Sequence, residues 1–119
     1  MNNKGVYFEN LALRWLKAQG LRLVAKNYHS RAGEIDLIML EKDNLCFIEV
    51  KFRTDAAYGG ALDALPRWKQ RKIVKTALFY LAANRKRANQ NMRFDALLIQ
   101  HQADGSDVID WIKNAFYAE

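Results

Sequence analysis

Hydrophobic residues recur at helical spacing near the start of the chain. Over residues 4–19 they fall on one face of a helix, and they are Phe8, Leu11, Ala12, Trp15 and Leu16. Gly20 is typical of the residue that follows such a helix. A second helix is predicted from residue 66, a proline, to about residue 87, with an apolar face of Ile73, Val74, Ala77, Leu78, Tyr80 and Leu81.

Between and after these helices, four stretches have the alternation or composition of β-strands. They span residues 21–28, 34–42, 45–53 and 93–100, and residues 29–33 form a polar connection. The segment VIDWIKNAF is predicted as a short strand that runs into a terminal helical turn. TDAAYGGALDALP, with its paired glycines, predicts a mobile loop. The order αβββαβ, with one further strand, predicts an α/β fold with a mixed sheet flanked by helices, in a single domain over residues 1–119.

The two central strands are predicted to form a hairpin with the sequence GEIDLIMLEKDNLCFIEVKFR. A two-residue turn at positions 43–44 pairs Lys42 with Leu45 and places Asp36 opposite Lys51. A register shifted by one residue would instead put Asp36 on the other face of the sheet. The even positions of the second strand form an apolar face, which predicts that Cys46 is buried.

Carboxylates and a lysine interrupt these apolar strands, at Glu34, Asp36, Glu49 and Lys51. One interpretation is a salt bridge on a solvated face, which contributes about 0–1 kcal/mol. The same face also carries Ile38, Leu40, Leu45 and Phe47, which indicates that it is partly covered. Crowded carboxylates repel one another there, and a divalent cation would relieve that repulsion. The pattern therefore favours a metal site over a surface salt bridge.

The chemistry of that site follows from its oxygen ligands, which suit Mg²⁺ or Mn²⁺. Asp36 and Glu49 would supply the carboxylates. Lys51 would orient the attacking water or help to deprotonate it, and would stabilise negative charge on a phosphate. The expected reaction is phosphodiester hydrolysis.

Charge is distributed unevenly along the chain, whose net charge is +6. Residues 64–94 hold nine basic residues and no acidic one, whereas the other 88 positions hold ten basic and all 13 acidic residues. Such a segment is typical of a surface that contacts nucleic-acid phosphates, and the alternative is a solvated helix face. The candidate nucleic-acid contacts are Arg53, Arg67, Lys69, Arg71, Lys72 and Lys75.

Several classes of protein are excluded by the remaining composition. The single cysteine cannot form an intramolecular disulfide, and no Cys/His cluster has zinc spacing. His29 and His101 are interpreted as surface or sheet-edge residues. No apolar run approaches the ~20 residues of a membrane span, and the N-terminus lacks the apolar core of a signal peptide. We expect a cytoplasmic protein that does not bind membranes.

Asp36, followed after twelve residues by Glu49-Val50-Lys51, resembles the PD-(D/E)xK nuclease motif. Most of the chain is also similar to the YraN family of small bacterial proteins, through an early helix with Glu9, GEIDLI, FIEVKFR, a basic helix, RFDALLI and WIKNAF. This resemblance implies a restriction-endonuclease-like fold. Nuclease activity is implied by more distant relatives, such as the archaeal-type Holliday junction resolvases, and not by the YraN family itself.

The resemblance assigns roles to individual residues. Asp36 and Glu49 match the metal-binding carboxylates, Lys51 the motif lysine, and Glu9 the helix glutamate, which together form the predicted catalytic set. The alternative for Glu9 is a solvated position on the flank of its helix. Glu34 is either an outer metal ligand or an exposed residue at the start of its strand. Ile35 precedes Asp36 at the position where many relatives have a proline. Because proline is not a metal ligand, this difference does not remove the predicted site.

The sequence leaves three functions open. The first is a Mg²⁺- or Mn²⁺-dependent nuclease for branched or otherwise structured DNA, with backbone or shape recognition and with Tyr58 touching the substrate. The second is a non-catalytic nucleic-acid-binding module that keeps the nuclease fold. The third is a protein-interaction module whose basic helix docks an acidic partner. A homodimer is compatible with the first function, since a junction presents paired strands.

Overall fold

One mixed sheet runs through the computed structural model of the protein, which describes residues 3–53 and 65–118. Within them the chain order is α1 (Asn3–Ala18), β1 (Arg22–Ser30), β2 (Gly33–Glu41), β3 (Asn44–Arg53), α2 (Arg67–Ala83), a 3-10 helix (Arg85–Arg87), β4 (Met92–His101) and β5 (Asp107–Phe116). The strands follow the same order across the sheet, and only the β3–β4 pair is parallel. The predicted α/β fold with its αβββαβ order is confirmed, and it agrees with a restriction-endonuclease-like core.

The two helices cover opposite faces of this sheet. On one face α1 contributes to a buried cluster of Phe8, Ala12, Leu16, Leu37, Met39, Cys46, Ile48, Leu97 and Ile99. On the other face α2 contributes to a cluster of Ile73, Ala77, Tyr80, Ile38, Leu40, Leu45, Phe47, Phe94 and Ala96. Residues 37–40 of β2 and 45–48 of β3 alternate between the clusters, so both strands are buried on both faces there. Each large apolar side chain buried here stabilises the fold by roughly 1.5–3 kcal/mol, and the predicted burial of Cys46 is confirmed.

The turn between β2 and β3 lies one residue earlier than predicted. Glu41 pairs with Asn44 and Leu40 with Leu45, so the two-residue loop is Lys42-Asp43. Lys42 has a φ of 55°, in the left-handed region, whereas the φ of Asp43 is not positive. The predicted pairing of Asp36 with Lys51 is therefore wrong by two residues. A shift of two preserves the alternation of faces, so the charged residues still share one side of the sheet.

The helix α2 ends before its predicted limit near residue 87. Its last residue is Ala83, and the side chain of Asn84 donates a hydrogen bond to the carbonyl of Tyr80 at 2.9 Å. This side-chain contact replaces the next helical turn, and the basic residues that follow form the separate 3-10 helix. The helix begins at Arg67, one residue after its predicted start at Pro66, which is instead the N-cap.

The C-terminal segment is a strand throughout and has no terminal helical turn. β5 pairs with β4 through an irregularity between Phe94 and Ala96. At this bulge Asn114 has a φ of 54°, and its backbone N–H donates to the buried carboxylate of Asp95 at 3.0 Å. The predicted helical turn is wrong because the contact that stabilises the extended backbone comes from Asp95 on β4, which a local sequence pattern does not reveal.

Three further expectations concern the mobile loop, the polar connection and membrane insertion. Most of the predicted mobile loop, including Tyr58, lies outside the described residues. The polar connection predicted for residues 29–33 is shorter than expected, since β1 continues to Ser30 and β2 begins at Gly33. Neither described helix is long and apolar enough to cross a membrane.

Candidate functional site

The ladder between β2 and β3 stops before the strands end. Its outermost pair is Leu37 with Ile48, whereas β3 continues to pair with β4 as far as Arg53. Beyond that pair, the backbone N–H of Val50 donates to Oδ2 of Asp36 at 2.8 Å, a side-chain acceptor. The strands therefore open at this point. Asp36 and Val50 border a cavity on the α1 side of the sheet and another on the α2 side.

Asp36 and Glu49 meet across this opening. Extending the observed register by one residue brings them opposite one another, and a hydrogen bond joins their carboxyl groups. Burial, this hydrogen bond and the negative charge of Glu49 raise the pKa of Asp36 to about 8. Glu49 is itself 7% exposed. Because adjacent carboxylates in a largely enclosed site repel one another when both ionise, this raised pKa favours the protonated form of Asp36 near neutral pH.

Lys69 and Lys51 both lie against this pair. The Nζ of Lys69 is 2.7 Å from Oε2 of Glu49, and the Nζ of Lys51 is 3.8 Å from the same oxygen. Burial and the neighbouring Lys69 lower the pKa of Lys51. Burial also opposes the charged form of Lys69, but its hydrogen bonds to Glu49 and Lys51 outweigh that effect and raise its pKa. Lys51 is thus the lysine that gives up its proton more readily.

The cavity on the α2 side, of about 360 Å³, contains further charged groups. Its described lining includes the carboxylates of Glu34, Asp36 and Glu49 and the ammonium groups of Lys51, Lys69 and Lys72. Among these groups, Lys69 and Lys72 provide cations that suit a phosphate. Glu34 is 44% exposed and lies 3.8 Å from Nε2 of the exposed His29, a contact that contributes little to stability.

Glu9 reaches the opening from the other face of the sheet. It comes from α1 and lines the α1-side cavity together with Lys26, Asn27 and Asp36. No group of three or more His, Cys, Asp or Glu side chains is arranged to hold a metal ion in the described part of the chain. Mg²⁺ is commonly held by only one or two carboxylates, with water and phosphate oxygens as its other ligands. The Asp36–Glu49 pair fits that mode.

The basic residues of α2 do not form one surface. Lys69 and Lys72 border the carboxylate cavity. Arg67, Arg71 and Lys75 line a separate groove between α2 and the end of β5, which we call the α2–β5 groove and whose apolar lining includes Val74, Leu78 and Tyr117. Arg53 lines a further cavity with Lys51 and Asp110. Lys69, predicted as a phosphate contact, is thus part of the carboxylate site.

Sequence reasoning missed a second buried carboxylate, Asp95. It is fully buried and accepts hydrogen bonds from Nε of Arg93 at 2.9 Å, Nε1 of Trp111 at 3.0 Å and the N–H of Asn114 at 3.0 Å. Arg93 also lies 2.9 Å from Glu41. All these partners are protein groups, so Asp95 holds β2, β4 and β5 together. The spacing Arg-x-Asp within a strand, which places both side chains on one face, was the available signal.

The whole candidate site lies within the part of the chain that matches a known protein family. Residues 8–99 match the model of Uncharacterised protein family UPF0102. The chain is 40% identical to a UPF0102 protein of Alcanivorax borkumensis, over 98% of this chain and 94% of that relative. UPF0102 proteins of Aeromonas hydrophila subsp. hydrophila and Psychromonas ingrahamii are 44% and 45% identical, over 96% and 97% of this chain and 85% and 90% of their own lengths.

Proposed function

Because this chain belongs to the protein family UPF0102, the YraN family, whose name states no activity, we propose a function from its own site. The proposed function is a divalent-metal-dependent nuclease that hydrolyses phosphodiester bonds in structured or branched DNA. One observation carries this proposal. The carboxyl groups of Asp36 and Glu49 face one another at an opening in the sheet, with Lys51 and Lys69 beside them.

The carboxylate pair supports a metal ion because burial and the neighbouring Glu49 both disfavour the ionised form of Asp36. Crowding with Glu49 contributes to the raised pKa of Asp36, and a divalent cation would remove that cost. The hard oxygen donors suit Mg²⁺ or Mn²⁺. Such an ion, when bound, lowers the pKa of water and neutralises charge on a phosphate. Glu34 borders the same cavity as a candidate outer ligand, and Glu9 borders Asp36 from the α1 side.

The two lysines suit complementary tasks in hydrolysis. Lys51, whose pKa is lowered by burial and by Lys69, can accept a proton from the attacking water. Lys69, whose pKa is raised, stays charged and can bind a phosphate oxygen. Lys72 adds a further positive charge at the mouth of the cavity. The side chains thus provide a proton acceptor and an anion site next to the carboxylates.

Cleavage assays test this proposal. The purified chain with Mg²⁺ or Mn²⁺ is incubated with duplex, flap, single-stranded and four-way-junction DNA. Asp36→Asn and Glu49→Gln should each reduce cleavage by at least about 100-fold, since even outer partners of metal ligands contribute 10–100-fold. Asp43→Asn, an exposed carboxylate in the β2–β3 turn, is the matched control and should cleave normally. Cleavage that both site variants retain would identify a contaminating nuclease and contradict the proposal.

A second candidate is a nucleic-acid-binding module without cleavage. The contact between Lys69 and Glu49 at 2.7 Å favours it, because an internal cation already neutralises that carboxylate. Under this alternative the same DNA panel binds with either metal, and no product forms. Binding and product formation measured on the same samples separate the two candidates.

A further inference from the structure

Trp68 is exposed at the edge of the carboxylate cavity. All three tryptophans of the chain lie in its described part, and Trp68 is 59% exposed. Trp15 and Trp111 are partly buried and contact each other edge to face, with ring centroids 6.0 Å apart. Trp68 lines the same cavity as Glu49 and Lys69. An aromatic ring that is left in solvent beside a charged cavity contributes little to the core and is available to a ligand.

A cation accompanies this ring, and the arrangement repeats along α2. The Nζ of Lys72 lies 5.5 Å from the ring centroid of Trp68. Further along the helix, the guanidinium of Arg31 lies 5.2 Å from the ring centroid of Phe79, which is 38% exposed. Phe79 follows Trp68 by eleven residues, which is three helical turns, so the rings share a helix face about 16 Å apart. We call Trp68, Lys72, Arg31 and Phe79 the aromatic–cation stripe.

The turn between β1 and β2 is held close to this face of α2. A Cβ atom placed on Gly33 would lie 3.4 Å from Oγ1 of Thr76 and 3.6 Å from Cβ of Lys72. Ser30 donates a hydrogen bond to the hydroxyl of Thr76 at 3.3 Å. Arg31 lies between these two contacts in sequence. The cation over Phe79 is therefore positioned by packing of the turn on the helix.

We propose that the aromatic–cation stripe binds an unpaired nucleic-acid strand, with a nucleobase stacked on Trp68 beside the phosphate held at the carboxylate cavity. This inference rests on the proposed function and specifies its substrate as DNA with unpaired nucleotides next to the cut. Aromatic rings stack on the faces of unpaired bases of any sequence, and cations between the rings bind the phosphates. Bases paired within a duplex do not offer those faces to the rings.

Binding measurements without metal test the stripe separately from cleavage. In EDTA, the full chain is titrated with a short oligothymidylate, an abasic oligonucleotide of equal length, a duplex of equal length and an oligoglutamate peptide. Oligothymidylate should bind most tightly and should quench the fluorescence of the exposed Trp68. Trp68→Ala should weaken that binding by about 5- to 140-fold, the range for loss of one stacked base. Phe79→Ala should weaken it as well, and Trp68→Phe, which keeps a ring, should retain most of it.

Tyr117→Ala removes a different exposed aromatic ring, which is 71% exposed in the α2–β5 groove, and should leave binding to oligothymidylate unchanged. Circular dichroism melting curves should match for the Trp68 and Tyr117 variants, since both rings are mostly in solvent. Equal affinity for the abasic and normal strands, or competition by oligoglutamate as strong as by DNA, would overturn the inference. Cleavage of DNA with unpaired nucleotides next to the cut that is unchanged by Trp68→Ala would also overturn it and would leave the proposed nuclease function intact.

Discussion

Two aspartates in this sheet, the partly buried Asp36 and the fully buried Asp95, differ because of the groups that face them. Asp36 faces the carboxyl group of Glu49, and its pKa is raised. Asp95 instead receives hydrogen bonds from Arg93, Trp111 and Asn114. A carboxylate surrounded by donors stabilises the fold as an anion, whereas one that faces another carboxylate is costly until a proton or a cation arrives. The residue type alone does not distinguish a structural aspartate from a candidate metal ligand.

Asp36→Asn is predicted to stabilise the protein at alkaline pH. The pKa of Asp36 is raised in the folded state to about 8 from its ordinary 3.8, so the folded state binds a proton more tightly than the unfolded chain. Its unfavourable contribution is absent below about pH 4 and grows as pH rises towards 8. The asparagine stays neutral and can still accept the N–H of Val50. The free energy of unfolding of the variant should exceed the wild-type value by about 1–3 kcal/mol near pH 8.

Urea denaturation between pH 4 and pH 9 measures this difference, with Asp43→Asn as the exposed control. Millimolar Mg²⁺ should reduce the difference in the free energy of unfolding between Asp36→Asn and the wild type, because it should stabilise the wild type. A difference that does not change with pH would show that repulsion between Asp36 and Glu49 is not its source.

Asp95→Asn is predicted to destabilise the protein strongly. The side chain of Arg93 is 12% exposed, and asparagine would leave its charge poorly balanced. Breaking a buried pair in this way costs about 3–5 kcal/mol. Chemical denaturation should show that loss, whereas Asp110→Asn, an exposed carboxylate on the same sheet, should change stability by less than about 0.5 kcal/mol. A loss below 1 kcal/mol for Asp95→Asn would contradict the role assigned to this carboxylate.

At the scale of elements, the sequence determines which face a β2 or β3 residue occupies but not its partner across the hairpin. Alternation of apolar residues correctly predicts that Asp36 and Glu49 share a face. The register depends on which two residues turn, and nothing in the sequence marks Lys42 for a positive φ. An error of two residues exchanged the partner of Asp36, from a lysine to a carboxylate. The predicted pairing of Asp36 with Lys51 is therefore wrong, and Asp36 instead faces Glu49.

Lys42→Gly is predicted to stabilise the hairpin. A left-handed conformation costs a residue with a side chain about 1–2 kcal/mol, and glycine avoids that cost but loses more entropy on folding. The net gain in the free energy of unfolding should be about 0.5–1 kcal/mol. Asp43→Gly is the matched control, since the φ of Asp43 is not positive, and it should be neutral or destabilising. Thermal or urea unfolding distinguishes these outcomes, and a loss of stability for Lys42→Gly would contradict the turn geometry.

Features that depend on contacts between distant elements were beyond sequence reasoning. The strand at the C-terminus depends on the bond from Asn114 to Asp95, nineteen residues away. Lys69 reaches Glu49 only because α2 packs on the face of the sheet that carries Glu49. The order of elements, the helix faces and the carboxylates of the site follow from local pattern. Register, bulges and the partners of charged groups depend on packing.

For the whole molecule, α2 divides the positive charge between two surfaces. Lys69 and Lys72 border the carboxylate cavity, and Arg67, Arg71 and Lys75 border the α2–β5 groove. A single strand that passes the cavity can contact the first surface alone. A branched DNA has a further arm that can reach the second. The division of charge therefore predicts that a single strand depends on the first surface alone and that branched DNA depends on both.

Salt dependence of binding measures this division. Each phosphate contact contributes about 0.7 to the slope of log K against log salt for single strands and about 0.9 for duplex DNA. Lys72→Gln should lower the slope for oligothymidylate by about 0.7, and Arg71→Gln should leave it unchanged. For a four-way junction, both variants should lower the slope by about 0.9. Lys17→Gln, an exposed position at the end of α1, should alter neither. If Arg71→Gln has no effect on junction binding, the groove does not contact DNA, and its basic residues serve another partner.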